Sequence, residues 1–70
     1  MELRQIKTFV TLADVLHFGQ AAEKLRIAQP HVSRRIKQLE EELGVLLFYR
    51  DKRNVRLTEP GEVFLAEART

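Results

Sequence analysis

Gln29, Ser33, Arg34 and Lys37 recur at spacings that set them along the outward side of one helix, with Pro30 and His31 at its exposed tip. Their chemistry is that of groove recognition. The Gln29 amide carries a donor beside an acceptor and can pair twice with an adenine edge, as the Arg34 guanidinium can with guanine. His31 and Ser33 can each offer one hydrogen bond to a base or a phosphate, and Pro30 offers an apolar surface suited to a thymine methyl. Lys37 supplies a cation for the nucleic-acid backbone. A good bidentate base contact is worth roughly 1–3 kcal/mol of discrimination.

Catalytic chemistry finds no such grouping. Ser33 is the sole serine, and neither His17 nor His31 has an evident acidic orienting partner. A glycine-rich phosphate loop is absent, as is any metal-ligand spacing. With no cysteine, disulfides and thiolate zinc sites are excluded, so neither catalytic nor metal-ligating residues are expected.

These side chains need elements to hold them. Phe18, Ala21, Ala22 and Leu25 fall at helical spacing, as do Val32, Ile36, Leu39 and Leu43. Only Arg26-Ile27-Ala28 separates the two patterns, which suits a sharply angled helix-turn-helix. The second helix should start at Pro30, tolerated in a first turn, and stop at Gly44, a left-handed terminator. A preceding helix is expected over residues 3–14, burying Leu3, Ile6, Phe9, Val10 and Ala13. His17 stands at the cap of the 18–25 helix and is a poor capping type. Two short apolar runs around an Asp- and Asn-containing turn predict a hairpin with strands near 46–50 and 55–57. Thr58 should cap a last helix opening with Glu59 and Pro60. Val63, Phe64, Ala66 and Ala68 are still periodic where the sequence stops, as expected of a piece of a longer protein.

Helix-turn-helix followed by a basic hairpin predicts a mainly α winged helix-turn-helix. Seventy residues make one small domain, for which oligomerisation is the remaining stabilising device. The net charge of +2 hides an uneven distribution. Lys24, Arg26, Arg34, Arg35 and Lys37 occur without an intervening acid, and Arg50, Lys52, Arg53 and Arg56 are opposed by Asp51 alone. Acids gather instead at Glu40–Glu42, read as a solvated face, and at Glu59, Glu62 and Glu67. Two basic clusters form the footprint expected of a polyanion partner. Lys52 and Arg53 at the hairpin tip would reach phosphates or a narrow minor groove, and Arg50 would steady the backbone. Gly19 and Gln20 would present a helix amino terminus to a phosphate. Arg35, one step round from Arg34, is expected to pair with glutamates. No apolar run is long enough to span a membrane, and no secretory signal is evident, so a cytoplasmic location is expected.

The ordered blocks LRQIKTFVTLA, FGQAAEKL, IAQPHVSRRIKQLEEELGVLLF, YRDKRNVRLT and EPGEVFL together resemble the amino-terminal domain of LysR-type transcriptional regulators over essentially the whole chain. The resemblance implies a bacterial regulator that reads dyad-symmetric duplex DNA as a homodimer or a tetramer of dimers. It divides the chain into a winged helix-turn-helix domain, 1–58, and the beginning of a dimerising linker helix, 59–70. Base-reading roles would fall on Gln29, Pro30, His31, Ser33 and Arg34, a wing role on Arg53 and a backbone role on Arg50. Dimerisation would fall on Val63, Phe64 and Ala66. No cofactor is implied within this domain; a small-molecule effector would bind a carboxy-terminal domain. His17 and Gly19 depart from the family's usual serine and serine or threonine, Ala28 from a frequent serine, and His31 from proline or alanine; Leu46 and Tyr49 hold positions often polar in the family, which implies that they are exposed. The competing reading is a winged-helix protein-interaction module, against which the basic recognition helix argues. RNA suits the helix poorly, since the A-form major groove is too narrow for it.

Overall fold

The computed structural model describes residues 1–51 and 54–70. In chain order the elements are α1 (Leu3–Val15), α2 (Phe18–Leu25), α3 (Gln29–Leu43), β1 (Phe48–Arg50), β2 (Val55–Leu57) and α4 (Glu59–Ala68). Lys52 and Arg53, expected at the hairpin tip, lie outside the described residues.

The inward face of α1 differs from the expected one. Leu3 is 80 % exposed, whereas Gln5, Thr8, Phe9 and Leu12 are buried and Ile6, Val10 and Ala13 lie at the margin. An apolar count alone misses Gln5 and Thr8, which are buried because their polar atoms are satisfied. The Thr8 hydroxyl donates to the Arg4 carbonyl at 2.8 Å, and Gln5 Oε1 accepts from the Glu2 amide at 2.9 Å.

Between α2 and α3 the chain reverses sharply through Arg26, whose φ of 57° lies in the left-handed region. The Ile27 amide reaches back to the Ala22 carbonyl at 3.1 Å, closing the helix end, and the Ile27 side chain packs against the core. Glycine is the usual occupant of such a position; here arginine bears the steric cost. α3 starts at Gln29, one residue earlier than expected, with Ala28 at the cap and no side chain bonding there. Pro30 therefore takes the second helical position, where a missing amide still costs nothing. Gly44 terminates the helix at φ 72°, as its type predicts.

Phe9 is the centre of the core. Its ring lies 5.4 Å from that of Phe48 and meets Phe64 edge-on at 5.0 Å, joining α1 to β1 and to α4. Leu12, Ala21, Val32, Ile36, Leu39 and Leu47 complete the fully enclosed set. α4 thus covers the core through Phe64 while Val63 and Ala66 stay exposed, a division of the apolar stripe that its spacing alone leaves open.

Glu40 overturns the expectation that the glutamate run is solvated. It is 5 % exposed, and its Oε2 accepts from the Leu47 amide at 2.8 Å and the Phe48 amide at 3.3 Å. Its Oε1 accepts from Arg50 at 3.1 Å, so α3 is tied to the chain entering the wing by three hydrogen bonds at one carboxylate. The same contacts explain why β1 begins at Phe48 and not at residue 46. The Leu47 amide is turned to Glu40, and the Leu46 carbonyl accepts from the Thr58 hydroxyl at 2.6 Å. β1 and β2 pair antiparallel, with Phe48 opposite Leu57, Tyr49 opposite Arg56 and Arg50 opposite Val55.

Thr58 Oγ1 also accepts from the Gly61 amide at 3.0 Å, capping α4 as expected. Gly61 is required for a different reason. A Cβ there would lie 2.2 Å from the Leu47 carbonyl oxygen, so the wing and α4 meet backbone to backbone.

Three substitutions test these joints by urea unfolding. Gly61→Ala should lower stability by roughly 1–3 kcal/mol, the usual range for overpacking. Glu40→Ala should lower it by about 2–6 kcal/mol, since two buried amides each lose an acceptor at about 1–3 kcal/mol apiece. Arg26→Gly should raise it by about 0.5–1 kcal/mol, because relief of a left-handed arginine exceeds the added chain entropy. An unchanged midpoint would refute the corresponding account in each case.

Candidate nucleic-acid interface

The stripe that anchors α3, made of Val32, Ile36, Leu39 and Glu40, fixes what the opposite face presents. Gln29, Pro30, His31, Ser33, Arg34 and Lys37 are all exposed, as their spacing predicts. The structure divides them between two flanks. Gln29, Ser33 and Lys37 line a groove of about 700 Å³ that also takes in Phe18, Leu46 and Arg50. His31 and Arg34 lie on the other flank, lining a hollow with Arg4 and Gln38.

Arg50 stands where the groove meets the wing. Besides pairing with Glu40, its guanidinium carbon lies 5.6 Å from the centre of the Phe18 ring. Phe18 and Glu40 thus hold the arginine from α2 and α3 respectively, while 38 % of its side chain remains open to solvent. Sequence reasoning missed both holders. The signal for Glu40 was present: it follows Val32 and Ile36 at four-residue steps, so helical spacing puts it on the inward stripe. On the wing, Arg56 lies over the exposed Tyr49, 5.1 Å from the ring centre, and Leu46 is exposed as expected.

His17 corrects the expectation of a weakly secured α2. Its Nδ1 accepts from the Gln20 amide at 3.0 Å, so an imidazole does what a serine hydroxyl does elsewhere. That bond occupies the Gln20 amide, removing it from the set of donors expected to face a phosphate; the Gln20 side chain stays exposed. Gly19 lies beneath the same imidazole. A Cβ at Gly19 would sit 3.0 Å from His17 Cε1 and 3.7 Å from Gln29 Oε1, so the glycine makes room for the capping ring beside a groove-lining amide.

Among the described residues Arg35 pairs with no glutamate. Its guanidinium donates to Thr8 Oγ1 at 3.4 Å, linking α3 to α1. The acids lie further along. Glu41 and Glu42 are exposed, and the amino-terminal amine, 3.0 Å from Glu42, holds that carboxyl below its usual range mainly through their hydrogen bond. Positive charge therefore collects around the first half of α3 and negative charge around its end. Among the described residues no cluster of three or more potential metal ligands occurs, and no helix is long and apolar enough to cross a membrane.

The family model for the bacterial regulatory helix-turn-helix protein, lysR family, matches residues 3–62. The chain is 54 % identical over 99 % of its length to the HTH-type transcriptional regulator AlsR of Bacillus subtilis, and 52 % identical over 97 % to the Hca operon transcriptional activator HcaR of Escherichia coli. It spans 23 % of the length of each of these relatives. Among solved structures, the CbnR_DBD–DNA complex superposes with a TM-score of 0.95 at 40 % identity, covering 99 % of this chain and 79 % of that one. A BenM_DBD complex with site 1 DNA gives 0.93 at 47 % identity, covering 97 % and 76 %. With 60 of its residues inside the family model and a winged helix-turn-helix built around α2 and α3, the chain belongs to the LysR family of bacterial regulatory helix-turn-helix proteins.

Proposed function

We propose that this chain is the sequence-reading DNA-binding domain of a bacterial transcriptional regulator. The observation that carries the reading is the exposed first half of α3, where Gln29, Pro30, His31, Ser33 and Arg34 project from a helix anchored by the core behind them. B-form DNA has a major groove about 12 Å wide, enough to admit one helix. Gln29 and Arg34 carry the paired hydrogen bonds that distinguish adenine and guanine, and His31, Ser33 and Pro30 complete the reading set. The groove between α3 and the wing receives a sugar–phosphate strand, with Lys37 and Arg50 as its cations and the Gly19 amide and the Gln20 side chain close by. Lys52 and Arg53, outside the described residues, are assigned to the backbone or the minor groove by their charge and their place in the sequence alone. Relatives that are transcriptional regulators, and relatives solved with DNA, support this reading over a protein-interaction module.

The reading assigns the domain no catalytic step and no cofactor. A small-molecule effector belongs to a carboxy-terminal domain of the longer protein, which works in the bacterial cytoplasm. α4 begins the linker helix from residue 59, and its exposed Val63 and Ala66, flanking Phe64, meet a second subunit. The resulting homodimer, or a tetramer built from two, matches a dyad-symmetric site.

Selection from random duplexes, followed by affinity measurements across a salt series, tests the proposal. An enriched dyad of half-sites is expected, with affinity falling steeply as salt rises. Gln29→Ala and Arg34→Ala should each flatten the preference at one position of the half-site by roughly 1–3 kcal/mol. Lys37→Gln should weaken all sequences alike and reduce the salt slope by about one. Absence of binding at low salt would refute the reading and restore the protein-interaction alternative.

A further inference from the structure

A helix in the major groove has a phosphate wall on each side, and the groove between α3 and the wing accounts for one of them. The opposite flank of α3 faces α1. There Arg34 and Arg35 stand with Arg4 around a hollow of about 210 Å³. A neighbouring hollow of about 570 Å³ is lined by Arg4, Lys7 and Arg35. We infer that this second flank is a phosphate track, in which Arg4 and Lys7 of α1 engage the sugar–phosphate strand on the far side of the major groove. The inference rests on the DNA-binding reading and adds residues of α1, which that reading leaves without a role.

Charge is the first support. Arg4, Lys7, Arg34 and Arg35 line the two hollows against one acid, Glu2. Among the described residues the ion pairs join Glu42, Glu40 and Asp14 to the amino terminus, Arg50 and Arg69. None involves these four cations, so their charge is not cancelled by a contact within the fold. The second support is rigidity. Arg35 donates to the fully buried Thr8, so the cations of α1 keep a fixed offset from the reading face of α3. Direction is the third. Glu41 and Glu42 line the adjoining hollow towards the far end of α3, which steers a polyanion to the end carrying His31 and Arg34.

Salt dependence separates this role from a merely solvated surface. Binding of the 70-residue chain to its selected duplex and to a scrambled one is measured from low to moderate salt for the unsubstituted chain, Arg4→Gln and Lys7→Gln. Arg4→Glu serves as a second variant, and urea midpoints check folding. Each neutral variant should lose roughly 3- to 10-fold in affinity on both duplexes, with a log–log slope smaller by about 0.9 and an unaltered base preference. Arg4→Glu should exceed Arg4→Gln in both respects at an unchanged midpoint. Slopes equal to that of the unsubstituted chain would overturn the inference, because a cation outside the interface releases no counterion. A changed base preference would also overturn it, since a phosphate track is blind to sequence. Failure of the DNA-binding reading itself would show in the unsubstituted chain, as binding that is absent or insensitive to salt.

Discussion

The carboxylate of Glu40 is the joint on which the arrangement of this domain depends. A buried carboxylate is tolerated only when hydrogen bonds and a cation replace the water it has lost. Here the Leu47 and Phe48 amides and the Arg50 guanidinium meet that requirement, from the residue before the wing and from its first strand. One side chain of the recognition helix thereby dictates where the wing begins and how it stands against α3. Backbone contact between Leu47 and Gly61 extends the constraint to α4, and Phe9 brings α1 into the same assembly through Phe48 and Phe64. One carboxylate thus ties the reading helix to the first strand of the wing.

Most of the architecture was legible in the sequence because it rests on periodicity and on terminators. The stripe from Val32 to Leu43 located α3, Gly44 ended it and Thr58 opened α4, each for a reason carried by the residue type. The failures share a different cause. Gln5, Thr8 and Glu40 are polar residues whose burial depends on hydrogen-bond partners, near in the chain for the first two and beyond the helix for Glu40, and a count of apolar residues alone passes over them. Arg35 pairs with Thr8 across 27 positions, beyond the reach of local charge arithmetic. His17 caps α2 through a ring nitrogen, an acceptor that capping preferences scarcely weigh.

Charge in this molecule is arranged more sharply than its net value conveys. Along α3 the cations lie towards the amino terminus and the acids towards the other end, so the helix presents a gradient of potential as well as a pattern of donors. Arg50 is partly compensated by Glu40, whereas Arg34 has no such partner among the described residues. A paired arginine has a defined position and a muted field; an unpaired one has a wider reach and a stronger pull. The surface can thus divide the work of placing a polyanion from that of attracting it.

The imidazole of His17 lies over Gly19, with the amide of Gln29 just beyond. Gln29 lies ten residues beyond Gly19 in sequence, yet the three positions form one packing unit. A side chain at 19 would contend with the ring, and a smaller cap at 17 would leave a gap above the glycine. Substitutions at 17 and 19 are therefore expected to drift in tandem across generations, each tolerated chiefly in the company of the other. Anyone transplanting this recognition helix into a foreign scaffold would need to carry residues 17 and 19 with it.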